Sequence, residues 1–388
     1  MTASLDSTHT PAVFRPALQN ITYTSEMLMV IFGAGASFDS SPTYTPGIIP
    51  PAFGEGDHGN DHNRPPLAKD LFANRPLFID AIDAFPQCKT IVPRLRDPEV
   101  TEGHASIETR LQEIELESRT YPRGLLELAA VQCYLQRSIS ECQRRWQTIT
   151  RGITNYLQLL REIERAHDGN EPVCLVTFNY DTLLEYSLRE FQGNFNSVRD
   201  YISGTKPFRV FKPHGSVNWA QEVDIDLPRN FSLGSPLGVL QYLIDSVAEL
   251  RISDRYVLCD PSSMGVADGR PVFPAIAIPV ERKQVFQCPK YMLEELVALL
   301  PHVDKVMMIG WRATEEHFLD LLKQHLHRGV RMSIVAGDQG DASEVRVRIL
   351  RTLINNQPIC DAESAAGFTM YLRSGRAQEV LKIRFPWQ

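Results

Sequence analysis

Four short segments are apolar on both faces and end at or near a glycine or a polar turn: Met27 to Phe32 before Gly33, Val173 to Phe178, Lys305 to Ile309 before Gly310, and Met332 to Ala336 before Gly337. An amphipathic strand alternates, whereas a strand covered on both sides does not, so these runs predict the buried strands of a parallel sheet. Helical sequence follows each run, which is the rhythm of βαβ units. The expected fold class is therefore α/β: a Rossmann-like, doubly wound parallel sheet carrying a helical insertion.

The expected organisation is an N-terminal extension over 1–26, a discontinuous core over 27–66 and 167–345, a helical insertion over 67–166 and a C-terminal segment over 346–388. Residues 41–66 are dense in Pro, Gly, Asp and Asn and read as a long loop, a lid over a ligand site being one role for it. Ile107, Leu111 and Ile114 fall at i, i+4 and i+7, which marks an amphipathic helix within the insertion. Residues 221–270 read as helix and loop, and the tail as a basic helix, EVRVRILRTLI, followed by a strand or two.

Composition narrows the function classes. The chain of 388 residues has 43% hydrophobic residues and a net charge of −7, enough apolar content for a packed core and no overall basic field to capture nucleic acid or an anionic membrane. No apolar run approaches the roughly 20 residues that span a bilayer, and the first residues lack a secretory pattern. A cytoplasmic location is expected. The seven cysteines are scattered, with no Cys-x-x-Cys pair, and are expected as free thiols rather than zinc ligands.

Three constellations carry chemistry. Gly33-Ala34-Gly35-Ala36-Ser37 follows the first strand, where glycines let a backbone approach a diphosphate, although a tight βα turn without ligand has the same pattern. Position 38 is Phe where a dehydrogenase fingerprint has Gly or Ala, so hydride transfer is disfavoured. Asn179 and Asp181, in Thr177-Phe178-Asn179-Tyr180-Asp181, stand at a strand's carboxyl end, where ligands bind in open α/β sheets; a turn at Asn179 and a helix cap at Asp181 are the alternative. His214, in Lys212-Pro213-His214-Gly215-Ser216, lies off any apolar periodicity and is a candidate general base or else a surface turn residue.

In this order the three motifs resemble the sirtuin family, with its Gly-Ala-Gly-x-Ser loop, Thr-x-Asn-x-Asp strand end and His-Gly. Ile309-Gly310-Trp311 is similar to the family's late glycine turn, and Ser333 to Asp338 to its final strand bordering adenine. The matches run from about residue 27 to 338. The sequence resembles more closely the sirtuin-like NAD hydrolases of bacterial antiphage defence, through Asn179-Tyr180-Asp181, Pro213 to Ser216, Ser106-Ile107-Glu108 and the segment AIAIPVERK. It departs from the wider family at Phe178, Tyr180 and Arg312, and it lacks the four-cysteine zinc ribbon of the deacylases.

The resemblance implies an NAD glycohydrolase that releases nicotinamide and ADP-ribose and depletes NAD in antiphage defence. It assigns His214 as general base, Asn179 to the ribose or attacking water, and Asp181 to the carboxamide. Gly33, Ala34, Gly35, Ala36, Ser37, Gly310 and Trp311 would hold the dinucleotide. NAD would be substrate, with no further cofactor, no zinc and no other metal. The activity would be regulated, in a homo-oligomer with a HerA-like hexameric ATPase as partner, without membrane or direct nucleic-acid binding. Trigger, oligomer size and linear against cyclic product stay open, as does nuclease activity in a complex. The alternative is a non-catalytic NAD or ADP-ribose sensor subunit. Asp57 to His62 offers two imidazoles and two carboxylates, but on a loop with nothing rigid to fix a metal. Arg348 and Arg351, i and i+3 on one helix face, could meet phosphate, a partner or only solvent.

Overall fold

The computed structural model describes residues 27–46, 61–97, 106–166, 172–228, 231–280 and 286–382. The expected N-terminal extension, most of the 41–66 loop with His58, and the end of AIAIPVERK lie outside these residues.

The four apolar runs form strands of one sheet. β1 (Met27–Phe32) and β2 (Val173–Thr177) are buried along their whole length. β8 (Val303–Ile309) and β9 (Arg331–Val335) join them, together with β3 (Phe208–Phe211) and β10 (Ile359–Ser364). The strand order is β10-β9-β8-β1-β2-β3, and every pairing is parallel. The chain winds outward from β1 to β3, then crosses to the other side of β1 and winds outward again through β8, β9 and β10. Winding direction reverses between β1 and β8, the position at which an open α/β sheet leaves a crevice beyond the strand ends. Phe32 is level with both Thr177 and Ile309, so three strand ends meet at that crevice.

A second sheet departs from the helix-and-loop reading of 221–270. β4 (Gly215–Asp224), β5 (Arg251–Leu258), β6 (Val266–Ala267) and β7 (Arg270–Ile276) form an antiparallel sheet in the order β5-β4-β7-β6. Irregularities interrupt the β4 pairings, and β5 is exposed along much of its length. An interrupted ladder with one wet strand leaves no clean two-residue alternation in the sequence.

The insertion contains α1's successors in chain order. After α1 (Ala34–Phe38) come α2 (Pro76–Ala84), α3 (Val92–Leu95), α4 (Ile107–Ser118), α5 (Pro122–Thr150) and α6 (Asn155–Ala166). Ser106 caps α4 by accepting from the Thr109 N–H at 3.0 Å, satisfying one of the helix's open donors. The long α5 faces the second sheet: Gln132 Nε2 donates to the Pro274 and Ile276 carbonyls at 2.8 Å, and Gln136 Nε2 to Val217 at 2.9 Å.

Two apolar cores result. One surrounds the parallel sheet and includes Trp146, Tyr156, Leu159, Leu160 and Ile163, so α6 belongs to the Rossmann-like core rather than to the insertion. The other joins residues 71–142 to the antiparallel sheet and α8 (Pro236–Asp245). The C-terminal segment completes the first core: β10 extends the sheet, while α12 (Gly367–Arg373) and α13 (Arg376–Lys382) contribute Phe368, Tyr371, Leu372, Ala377 and Val380. Asp39 ties α12 to α1 by accepting from the Thr369 N–H at 2.9 Å.

All seven cysteines are free thiols, and Cys360 alone is less than fully buried. No helix among the described residues is long and apolar enough to cross a membrane. No group of three or more His, Cys, Asp or Glu among the described residues is arranged to hold a metal ion.

Candidate functional site

At the switch point two glycine turns interlock. The Gly33 N–H donates to the Ile309 carbonyl at 3.0 Å and the Gly35 N–H to the Gly310 carbonyl at 3.1 Å. Gly310 has a φ of +61°, and a Cβ there would stand 2.4 Å from the Ala36 nitrogen; a Cβ on Gly33 would stand 2.4 Å from the Gly310 oxygen. The motif glycines thus let two backbone turns touch. Their amides are largely spent in doing so, because the Ala36 N–H also turns inward to the Gly33 carbonyl at 2.9 Å. Of the first-turn amides, Ala34's is the one with no protein acceptor among the described residues.

Asn179 closes this arrangement from β2. Its Nδ2 donates to the Gly33 carbonyl and to Ser37 Oγ, each at 2.9 Å, and lies 3.2 Å from the Tyr156 hydroxyl. The Gly33 carbonyl can only accept, which fixes the amide's orientation and leaves Oδ1 without a protein partner among the described residues. Ser37 is 2% exposed and also bonds Tyr156 at 2.9 Å. Its hydroxyl is therefore a prop for Asn179, and the expected contact with a diphosphate has no geometric support. Burial pushes the Tyr156 phenol well above its usual pKa, with the Asp181 charge adding to the effect, so it stays a neutral hydroxyl.

Asp181 does both things considered for it. Oδ1 accepts from the Leu183 N–H at 3.1 Å, at the start of α7 (Leu183–Gln192), while Oδ2 has no protein partner among the described residues. The Asp181 carbonyl accepts from Lys212 Nζ at 2.6 Å, and Lys212 also pairs with Glu185 at 2.8 Å, both side chains being almost wholly buried. This pair ties the β2 end to the turn that carries His214. Gly215 follows with a φ of +76°, and a Cβ there would fall 1.9 Å from the Ala275 oxygen, so the histidine turn is pressed directly onto β7. His214 is 5% exposed, with its ring 4.9 Å from Phe178 edge-on and 6.2 Å from Tyr180.

These elements bound a cavity of about 640 Å³. It is lined by Gly33, Ala34, Asn179, Asp181, His214, Gly310 and Trp311 from the expected set; Gly35, Ala36 and Ser37 lie behind the wall. The volume is in the range of a small-molecule site. Trp311 stacks on Phe178 with centroids 5.4 Å apart and planes 7° from parallel, and its Nε1 donates to Glu315 at 2.6 Å. Tyr180 lines the cavity, its phenol pushed upward by burial and by the Glu108 and Glu315 carboxylates. Acidic groups (Glu108, Asp181) reach the cavity from α4 and β2, while Arg312 comes from the turn after β8 and Arg348 and Arg351 from α11 (Gln339–Thr352).

Several of these residues carry no individual sequence signal. Tyr156 and Glu185 are ordinary helix residues and Lys212 the residue after β3, and their roles arise only when distant elements meet. Glu108 is the last residue of the recognisable Ser106-Ile107-Glu108 motif and could have been advanced from it as a site residue. Arg348 and Arg351, for which the sequence left phosphate, a partner or solvent open, line the cavity, because α11 packs against α10 (Glu316–His325). Of the Asp57 to His62 cluster only Asp61 and His62 are described.

No protein-family model and no curated protein matches the chain. Among solved structures, a chain from a study of the mechanism and regulation of Sir2 enzymes is similar over 92% of this chain and 93% of its own, at 13% identity and a TM-score of 0.37. A likeness at that level says nothing about individual residues.

Proposed function

We propose that this chain is an NAD glycohydrolase, cleaving the bond between nicotinamide and ribose to give nicotinamide and ADP-ribose. The observation that carries the reading is convergence: three motifs spread along the chain, at Gly33-Ala34, Asn179 to Asp181 and His214, line one cavity at the sheet's switch point. The sequence of these motifs resembles that of sirtuin-like NAD hydrolases, and the chemistry of the groups suits the reaction.

Nicotinamide leaves as a neutral base from a cationic ring, and positive charge builds on the ribose. Carboxylates lining the cavity suit both cations. Asp181, with one oxygen uncommitted, accepts from the carboxamide. Asn179 offers Oδ1 to the water or a ribose hydroxyl, held by three internal contacts that resist reorientation. His214 takes the proton as water adds to the anomeric carbon, and the stacked Phe178, Trp311 and Tyr180 exclude bulk solvent. Water supplies the hydroxyl of ADP-ribose, and its remaining proton leaves through His214.

The wider reading is that the activity is regulated, serves antiphage defence by NAD depletion, and operates in a homo-oligomer with a HerA-like hexameric ATPase. The motif resemblance is its support. The sensor alternative draws on the spent glycine amides and the buried Ser37, which leave fewer donors for a tightly held reaction geometry. Nicotinamide release from NAD by the purified chain, with and without a neighbouring ATPase, separates the two. Release that disappears in His214→Ala and Asp181→Asn, both folded by circular dichroism, supports hydrolysis. NAD binding without release under any condition replaces it with the sensor.

A further inference from the structure

The glycine turn offers few amides to a phosphate, since those of Gly33, Gly35 and Ala36 are consumed within the protein. A dinucleotide's diphosphate must nevertheless be neutralised somewhere along the cavity. Beside the imidazoles of His214 and His317, the basic side chains lining it among the described residues are the guanidinium groups of Arg312, Arg348 and Arg351. Arg348 is a strut: Nη1 donates to the Arg312 carbonyl and Nη2 to Glu344, each at 2.6 Å. It fixes the turn after β8 against α11. The guanidinium groups of Arg312 and Arg351 make no hydrogen bond or ion pair among the described residues. Some other arginines, Arg94, Arg144, Arg161, Arg270 and Arg346 among them, pair with carboxylates. Nearby acids are partly committed, Glu315 to Trp311 and Glu344 to Arg348, although Glu316 also reaches the cavity.

We infer that Arg312 and Arg351, braced by Arg348, form the phosphate-binding wall of this cavity and hold the diphosphate of the substrate in place of the glycine-loop amides. Guanidinium groups bind phosphate oxygens through paired charge-assisted hydrogen bonds, and Thr352, next to Arg351 in the chain, also lines the cavity. The diphosphate then lies toward Arg312 and Arg351, which sets the substrate's direction in the site. This inference rests on the reading of the cavity as an NAD site.

The test uses the full chain with Arg312→Gln, Arg351→Gln and the double variant. Binding of ADP-ribose, inorganic pyrophosphate and nicotinamide is followed by Trp311 fluorescence and calorimetry, and turnover by nicotinamide release. Each single variant is expected to weaken ADP-ribose and pyrophosphate about tenfold, the worth of one charge-assisted contact. The KM for NAD rises in parallel, kcat stays within about threefold, and nicotinamide, which has no phosphate, binds unchanged. Pyrophosphate should compete with NAD in the unsubstituted chain. ADP-ribose affinity within twofold of wild type in the double variant overturns the inference while leaving the NAD reading intact. Pyrophosphate that binds without displacing NAD overturns it equally. If pyrophosphate binding depends on the two arginines but NAD neither binds nor turns over, the anion wall survives without the substrate reading. A wild-type chain that binds none of these ligands removes both.

Discussion

Gly310→Ala isolates the packing of the two glycine turns. The added Cβ would meet the backbone at Ala36 N, 2.4 Å away, and Gly35 C, 2.5 Å away, where no side chain can swing aside. Residue 310 also has a φ of +61°. The left-handed backbone costs an alanine about 1–2 kcal/mol, and overpacking adds about 1–3 kcal/mol, so the loss should be about 2–5 kcal/mol. Two other glycines separate these contributions. Gly329 has a φ of +78° but nothing within 4 Å, so Gly329→Ala should lose the backbone part alone, about 1–2 kcal/mol. Gly337 has neither a positive φ nor a neighbour within 4 Å, and Gly337→Ala should be neutral or more stable by about 0.4–1 kcal/mol. Urea unfolding followed by far-UV circular dichroism, with midpoint shifts converted through m, measures the series. Equal losses in Gly310→Ala and Gly329→Ala would refute the interlock.

Asn179→Asp should cost about 3–5 kcal/mol at pH 7.5, because it sets a buried carboxylate oxygen against the Gly33 carbonyl. Burial raises the new carboxyl's folded pKa above its unfolded value, so the variant regains stability as pH falls; a penalty unchanged at pH 5 would contradict the assigned amide orientation. Lys212→Met strands Glu185 and should lose about 3–5 kcal/mol, most of it recovered in Lys212→Met/Glu185→Leu by double-mutant cycle. Burial pushes the Cys88 and Cys288 thiols up to about 12 and the Cys142 and Cys259 thiols up to about 11. Iodoacetamide on the native protein at pH 8 should therefore mark Cys360 first by mass spectrometry, and rapid labelling of Cys88 or Cys288 would argue against the packing around them.

The parallel sheet was legible because its central strands are apolar on both faces, a property each strand's own residues display. The motif residues Asn179, Asp181 and His214 were legible because they interrupt apolar sequence at strand ends and turns. The antiparallel sheet was not, since β4 and β5 meet irregularly and their alternation is broken. Nor did local pattern assign α6 to the parallel-sheet core: its apolar stripe says that it packs, not against what.

What the sequence determined by itself is local: which segments are buried strands, where helices start, and which turns carry polar chemistry. Tertiary structure decided the rest, because partners distant in the chain set it. Ser37 became a prop for Asn179 once Tyr156, 119 positions away, met its hydroxyl. Gly33 and Gly35 spend their amides on the turn after β8, and Arg351 faces a cavity only because α11 packs beside α10. Hydrogen-bond donors are finite, so which of them remain for a ligand depends on every contact the fold makes first.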